Sequence, residues 1–264
     1  MEAALETRTI EGWLAEKMAG RLSVAVTASG LRVGRALVGP CYAQAYAPRR
    51  HFRCSTDLVR AIGWWLAYLR HRPPARHSCA LTRRSFIAWT DASGADRWLA
   101  AVLLDAAGSC WHTRCQTPQW LWDQLLPRGD HQIGVQEALA VLLLFATFRE
   151  TLADSVVTVY VDNSGVMHNY VNGGSKAPET NAMIAVFWLQ CALHQVSACF
   201  YRIESKANVA DAPTRLDQLG IAFLESIGSV FVTPKLPSWL SCLWLPLVSE
   251  APSRPDFVVL PNED

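Results

Sequence analysis

Between Ser85 and Leu216 the apolar pattern changes period again and again, and no other feature of the chain constrains its fold as strongly. Short β-branched runs, cut by Gly and Asp, alternate with longer runs of helical period. That is the pattern of an α/β layer structure. Ser85–Thr90 reads as a strand ending in the turn Asp91-Ala92-Ser93-Gly94. Trp98–Leu104 and Ser109–Gln116 read as two more strands, joined by Asp105-Ala106-Ala107-Gly108. Two tight connections make these three an antiparallel meander. Thr117–Gly134 reads as a loop or partly helical linker, and Val135–Thr151 as a strong helix. Ser155–Val161 is β-branched and nearly all apolar, as expected of a strand covered on both faces. Asp162-Asn163-Ser164 then caps a short helix through Tyr170. Pro178–His194 is a further helix, Val196–Ile203 a fifth strand and Asn208–Leu216 a short closing helix. The expected order is β-β-β-α-β-α-α-β-α on a mixed five-stranded sheet.

Outside this section the pattern is weaker. Residues 1–84 read as mostly helical, first around Leu5–Met18 and again over Leu58–Leu69, where Arg72-Pro73-Pro74 stops the helix. Residues 218–264 hold Pro234, Pro237, Pro246, Pro252, Pro255 and Pro261 and read as an irregular tail, with Trp239 and Trp244 packing back on the body. The chain has 264 residues, 51% of them apolar and 18% charged, so a core can be buried and general disorder is excluded. The longest uninterrupted apolar stretch, around Ala138–Ala146, is roughly half of what a bilayer span needs. Met1-Glu2-Ala3-Ala4-Leu5-Glu6 is acidic and lacks a long apolar run, so no secretory signal is expected and an intracellular, non-membrane protein is. The eight cysteines form no Cys-x-x-Cys pair and match no zinc ribbon or finger, so reduced thiols are expected.

The net charge of +1 hides a gradient. Residues 49–84 carry nine Arg and one acid, Asp57, a balance of +8. Residues 85–217 carry eight Lys/Arg and thirteen Asp/Glu, a balance of −5. A basic block can hold polyanions and an acidic domain can hold cations. An ordinary solvated surface accounts for the basic block about equally well. The block supplies long-range attraction for a polyanion if it lies beside the acidic site.

Four acids fall at element ends or on the long helix: Asp91, Glu137, Asp162 and Asp211. Strand carboxyl ends in such sheets share one edge, where sites form. Each of Asp91, Glu137 and Asp162 adjoins apolar sequence. Carboxylates clustered in such surroundings raise each other's pKa unless cations join them. A set of hard oxygen donors selects Mg²⁺ or Mn²⁺. Two such ions about 4 Å apart hold the attacking and leaving oxygens of a phosphodiester. Singly, each acid is better explained as a turn residue, a helix cap or a helix-dipole partner; the four together, in this order, are not. Gly173-Gly174-Ser175-Lys176 reads either as a backbone approach to a phosphate, with Lys176 as a point charge, or as a plain surface loop. Trp64, Trp65, Trp120 and Trp122 read as core.

The order Asp–Glu–Asp–Asp on these elements resembles type 1 ribonuclease H. Thr90-Asp91-Ala92-Ser93-Gly94, Gln136-Glu137-Ala138-Leu139-Ala140 and Tyr160-Val161-Asp162-Asn163-Ser164 resemble its first-strand, helix and fourth-strand motifs. Glu204–Arg215, with Asn208-Val209-Ala210-Asp211, resembles the end of the ribonuclease H domain of retroelement reverse transcriptases. The resemblance covers residues 85–217, about half the chain. Less specifically, Met18–Ser23, Val33–Leu37 and Trp64-Trp65-Leu66 look like the segment that joins polymerase to ribonuclease H in retrotransposon enzymes. No Tyr-x-Asp-Asp occurs, and Tyr160-Val161-Asp162-Asn163 lacks the second Asp, so a polymerase domain would be a partner missing from this chain.

The resemblance implies an endonuclease that hydrolyses the RNA strand of an RNA–DNA hybrid. Water would attack in line and leave 3′-hydroxyl and 5′-phosphate ends. Asp91 would bridge two Mg²⁺ ions, Glu137 and Asp162 would complete one site, and Asp211 the other. Ser93, Gly94 and Asn163 would touch the substrate near the cut. Many cellular relatives carry a His in the loop before the last Asp. Here Glu204–Ala210 has none, and Lys206 or Asn208 would stand in. An inactive hybrid-binding module is the first alternative. A recombinase or transposase nuclease is the second, disfavoured because those typically end in Glu.

Overall fold

The computed structural model describes residues 1–28, 32–47, 52–71, 83–94, 96–125, 132–237 and 257–259. Alternating apolar residues build the strands β1 (Arg84–Ala92), β2 (Trp98–Asp105) and β3 (Cys110–Gln116). The turn from β2 to β3 is closed by Asp105, whose side chain accepts from the Ala107 and Ser109 amides. β4 (Ser155–Val161) and β5 (Ser197–Arg202) lie on the other side of β1, both parallel to it. With β6 (Val230–Phe231) they form one mixed sheet in the order β5-β4-β1-β2-β3-β6. The fold is therefore α/β.

Six strands replace the five expected. β6 is two residues long and joins the β3 edge in parallel, with the Val232 amide donating to the His112 carbonyl at 2.8 Å. A strand that short has no readable period. β4 also departs from expectation. Val157, Val159 and Val161 are buried, whereas Val156, Thr158 and Tyr160 are only half-buried. Helices cover its first face. On its second face stands a row of rings, Trp89 to Tyr160 at 6.0 Å and Tyr160 to Tyr201 at 6.1 Å.

The helices of this half are α5 (Gln119–Trp122), α6 (Ile133–Thr147), α7 (Arg149–Leu152), α8 (Ser164–Asn172), α9 (Pro178–Leu193), α10 (Asp211–Arg215) and α11 (Gln218–Ser226). α6 packs against β1, β2 and α9, and every residue from Val135 to Thr147 is buried. That is why it is apolar all round rather than striped. Asn163 starts α8 by accepting from the Gly165 and Val166 amides. Tyr170 near its end donates to the Ala138 carbonyl of α6 at 2.9 Å.

Residues 1–71 hold α1 (Glu2–Thr7), α2 (Gly12–Ala28), α3 (Gly39–Ala45) and α4 (Thr56–His71). The single helix expected around Leu5–Met18 is two. Arg8 turns left-handed at φ 56°, and Thr9 then bridges to Arg53. The chain from Arg32 to Val38 wedges between α4 and the α8–α9 corner. Arg32 lies over the Trp188 ring at 5.4 Å, and Asn181 donates to the Ala36 carbonyl at 3.0 Å. Gly34, at φ 74°, sits against Trp64 and Trp65 so closely that a methyl group would enter the Trp65 ring. Gly34→Ala is therefore expected to destabilise the protein by at least ~2 kcal/mol, from backbone strain and overpacking together. Urea denaturation of the two proteins measures it.

The apolar cluster runs without a break from Ala4 and Leu22 through Trp65 to Ile184, Trp188 and the sheet, across the charge boundary at residue 84. The described part of the tail carries regular elements, contrary to the irregular reading. Asp217 caps α11, and β7 (Lys235–Pro237) packs on α6 with Leu236 fully buried. β7 pairs antiparallel with β8 (Phe257–Val259). Its proline content hid both elements. Trp239 and Trp244 lie outside the described residues. Trp64 and Trp65 are core as expected, but Trp120 is exposed. The six described cysteines are free thiols. Among the described residues no helix is long and apolar enough to cross a membrane.

Candidate functional site: four carboxylates at one edge of the sheet

The parallel register of β1 and β4 aligns Trp89 with Tyr160. Two residues further along each chain stand Asp91 and Asp162, on the same face as those rings because side chains alternate. Asp91 lies inside β1, not in the turn after it. Glu137 arrives from α6 on one side of the sheet. Asp211, the first residue of α10, arrives from the other. The structure thus brings the four expected acids to one edge.

Each acid is held by a side-chain partner, and the Ala92 and Asn163 main chains add a bond to Asp91 and to Glu137. Thr214 donates to Asp91 Oδ2 at 2.5 Å, Asn163 to Glu137 Oε1 at 3.3 Å, and Ser205 to Asp162 Oδ2 at 2.8 Å. Arg215 pairs with Asp211 at 2.9 Å. Glu137 Oε2 and Asp162 Oδ1 are buried and accept no hydrogen bond. Thr214 and Ser205 were not singled out from the sequence. The only signal for Thr214 was its place three residues after Asp211, one helical turn along.

Burial and mutual repulsion set the protonation of the cluster. Glu137 is pushed up from 4.5 to about 8, mainly by burial, then by Asp162 and Asp91, with Asn163 acting the other way. Asp91 is also raised, by burial first and then by Asp162 and Asp211, against the lowering bond from Thr214. The acids therefore feel one another in pairs centred on Asp91 and Asp162. Among the described residues no three His, Cys, Asp or Glu side chains are drawn close enough to form a ready-made metal cage. Repulsion between bare carboxylates acts over a longer range than ligation does. The donor set still suits a hard divalent cation: all oxygen, two oxygens buried without a partner, and like charges whose repulsion a cation would remove.

The expected substrate-side residues separate into two groups. Ser93, Gly94 and Asn163 lie at the acid edge. Ser93 is tied back to β2 by its amide, which donates to the Trp98 carbonyl at 2.8 Å. Asn163 spends its side chain on the α8 cap and on Glu137. Asn208 is buried, donates to the Thr90 carbonyl at 3.0 Å and accepts from the Ala210 amide at 3.2 Å. It pins the loop before α10 to β1. Lys176 is exposed beyond the far end of α8, a helix about 14 Å long. The glycines before it are not an open phosphate cradle. A Cβ on Gly173 would stand 2.7 Å from Cβ of Arg32, and Asn181 takes the Ser175 amide at 2.9 Å.

The basic block does not flank the acids where it is described. Arg83 and Arg84 begin β1, about 23 Å along the strand from Asp91. Arg83 pairs with Asp154, Arg70 with Glu2 and Arg60 with Asp57, and Arg84 donates to the Ala153 carbonyl. Arg49, Arg50, Arg72 and Arg76 lie outside the described residues. No protein-family model matches the chain, and no curated protein matches it.

Proposed function

We propose that the chain is a divalent-metal-dependent endonuclease that hydrolyses the RNA strand of RNA–DNA hybrids, built on a ribonuclease H-like fold and derived from the C-terminal part of a retroelement reverse transcriptase. The observation that carries this reading is the edge itself: Asp91 and Asp162 at matching positions of adjacent parallel strands, with Glu137 and Asp211 reaching them from opposite sides. The antiparallel meander and the order β5-β4-β1-β2-β3 support it.

Asp91, Glu137 and Asp162 would hold one Mg²⁺ or Mn²⁺, and Asp91 with Asp211 a second. When bound, such ions supply an activated water and stabilise charge on the phosphoryl oxygens. The chain's own part is to keep the carboxylates in place. Thr214, Ser205 and Asn163 each fix one oxygen, and Glu137 Oε2 and Asp162 Oδ1 are left without a hydrogen bond. With its carboxyl pushed up to about 8, Glu137 favours the protonated form at neutral pH, and a bound cation would favour release of that proton. Adding Mg²⁺ at pH 7 is accordingly expected to release protons, and calorimetry in buffers of different ionisation enthalpy counts them. Selection of hybrid over duplex DNA rests on groove shape and 2′-hydroxyl contacts rather than base sequence.

Cleavage of labelled hybrid in Mg²⁺ tests the proposal. Asp91→Asn is expected to lower the rate at least ~10³-fold, the scale of removing a principal charge-stabilising group. Full activity in that variant would remove Asp91 from the site. Hybrid binding without cleavage would select the inactive binding module. Equal cutting of duplex DNA would move the protein to the recombinase class.

A further inference from the structure

We propose that Arg8 and Arg53, with the hydroxyls of Ser55 and Thr56, form a binding site for a phosphoryl group. The site is an open cleft of about 380 Å³, lined by these four residues, Cys54 and Val59. It shares no residue with the acid edge, and the inference does not depend on the nuclease reading.

Main-chain bonds build the cleft. Arg8 follows α1 in the left-handed region at φ 56°, and Thr9 then bridges to Arg53. The Ile10 amide donates to the Phe52 carbonyl at 2.7 Å, and the Cys54 amide to the Arg8 carbonyl at 2.8 Å. Neither guanidinium is needed to hold the two segments together. Among the described residues neither arginine pairs with a carboxylate. None of the lining residues is acidic. Acids close in sequence are engaged elsewhere: Asp57 pairs with Arg60, Glu2 with Arg70, and Glu11 accepts from the Trp13 indole. Glu6 does not line the cleft. Ser55 accepts from the Leu58 amide at 3.1 Å, so α4 is already capped and the attraction rests on the arginines.

The donor set selects phosphate. Two cations lining one cleft repel each other, and an anion between them removes that cost. Each guanidinium offers a rigid fork of donors that matches phosphoryl oxygens. A hydroxyl that accepts from an amide still has its proton to donate, so Ser55 can serve a ligand, and Thr56 adds a second hydroxyl. A phosphoryl group, with three acceptor oxygens and close to two negative charges, uses all four groups. A carboxylate has two oxygens and one charge, and leaves one arginine uncompensated.

Cys54 reports on occupancy. Burial raises its pKa, and Arg8 acts the other way. A bound anion covers the thiol and cancels the help from Arg8, so labelling that needs the thiolate slows. The full chain is labelled with N-ethylmaleimide, a neutral reagent, in EDTA at constant ionic strength, and each cysteine is followed by peptide mass spectrometry. The cleft is open to water, so affinity is modest. For a Kd of about 10 mM, ~20 mM phosphate is expected to slow Cys54 ~3-fold. Cys199, exposed on β5, is expected to keep its rate. Acetate is expected to slow Cys54 much less.

The ratio of rates with and without phosphate is compared within each protein. Arg8→Gln plus Arg53→Gln is expected to bring it to one. Arg21→Gln plus Arg202→Gln removes the same charge from exposed positions outside the cleft and is expected to leave it unchanged. Thermal melting checks that both variants fold. No slowing of Cys54 by phosphate, or slowing that survives the first pair of substitutions, would overturn the site. Equal slowing by acetate would overturn the assignment to a phosphoryl group. An RNA–DNA hybrid at micromolar concentration distinguishes the sources. Protection of Cys54 by hybrid assigns the phosphoryl group to a nucleic-acid backbone, and protection by phosphate alone assigns it to a small phosphate ester.

Discussion

At pH 8 without divalent cations, Glu137→Gln is expected to exceed the parent protein in stability by about 2–4 kcal/mol, and near pH 4.5 the two are expected to match. Folding raises the Glu137 pKa from 4.5 to about 8, because burial and the neighbouring Asp162 and Asp91 disfavour its charge. Between those values the folded state binds more protons than the unfolded state, so stability falls as pH rises. The contribution is fully present below 4.5 and is lost as pH climbs through about 8. Each tenfold change in the proton equilibrium is worth about 1.4 kcal/mol. The full interval would exceed 4 kcal/mol, and side-chain relaxation brings the expected figure to 2–4. Gln keeps the shape of the protonated acid, so it should flatten the pH dependence. Asp91, raised in the same direction, leaves a smaller slope of the same sign in the variant. Urea denaturation in EDTA at pH 5, 6, 7 and 8 measures the difference. Parallel pH curves for the two proteins would show that Glu137 is not the strained group. Millimolar Mg²⁺ should restore the parent at pH 8 and do much less for the variant, because only the parent has repulsion to relieve.

The sequence exposed the parts of this site that follow from local pattern. β4 begins and ends where its β-branched run does, and Asn163 caps α8 as its position after a strand suggests. Asp91 and Asp162 were legible because both stand at the carboxyl end of an apolar run, and parallel neighbours must end at one edge. The donors that hold them were not. Thr214 meets Asp91 across 123 positions of sequence and Ser205 meets Asp162 across 43, and no local signal marks such contacts. Arg114, whose guanidinium lies 3.6 Å from the centre of the Trp98 ring, sits in no motif. They meet because β2 and β3 are in a particular register, and a shift of one residue would put them on opposite faces. The charge gradient was real in composition but misleading in space. Arg83 and Arg84 stand at the start of the strand near whose end Asp91 lies, so adjacency in sequence became separation by nearly the length of the strand.

In sequence, residues 1–84 read as a basic, mostly helical connecting segment, and removal of residues 1–71 is expected to be far more damaging than loss of charge. Deleting residues 1–71 takes away the wedge from Arg32 to Val38. It uncovers the ring of Trp188, now 1% exposed beneath Arg32, and leaves Asn181 without the Ala36 carbonyl. Gly173 and Gly174 lose the chain that packs directly on them. Unburying a large apolar side chain costs about 1.5–3 kcal/mol, and an orphaned polar partner about 1–3 more. Only two such losses reach ~4 kcal/mol. At about 2–4 °C for each kcal/mol in a chain of this size, Tm should drop by ~10 °C or more, and the truncated protein should tend to aggregate through its bared α8–α9 corner. A purely electrostatic attachment predicts the opposite: an unchanged Tm and a weaker, less salt-dependent grip on hybrid. Calorimetric melting of residues 72–264 beside the full chain, with hybrid affinity measured on both, separates the two. A truncated protein that melts within 2–3 °C of the parent would show that the wedge only leans on the α/β body, and that the unbroken apolar cluster divides there into two units that fold separately.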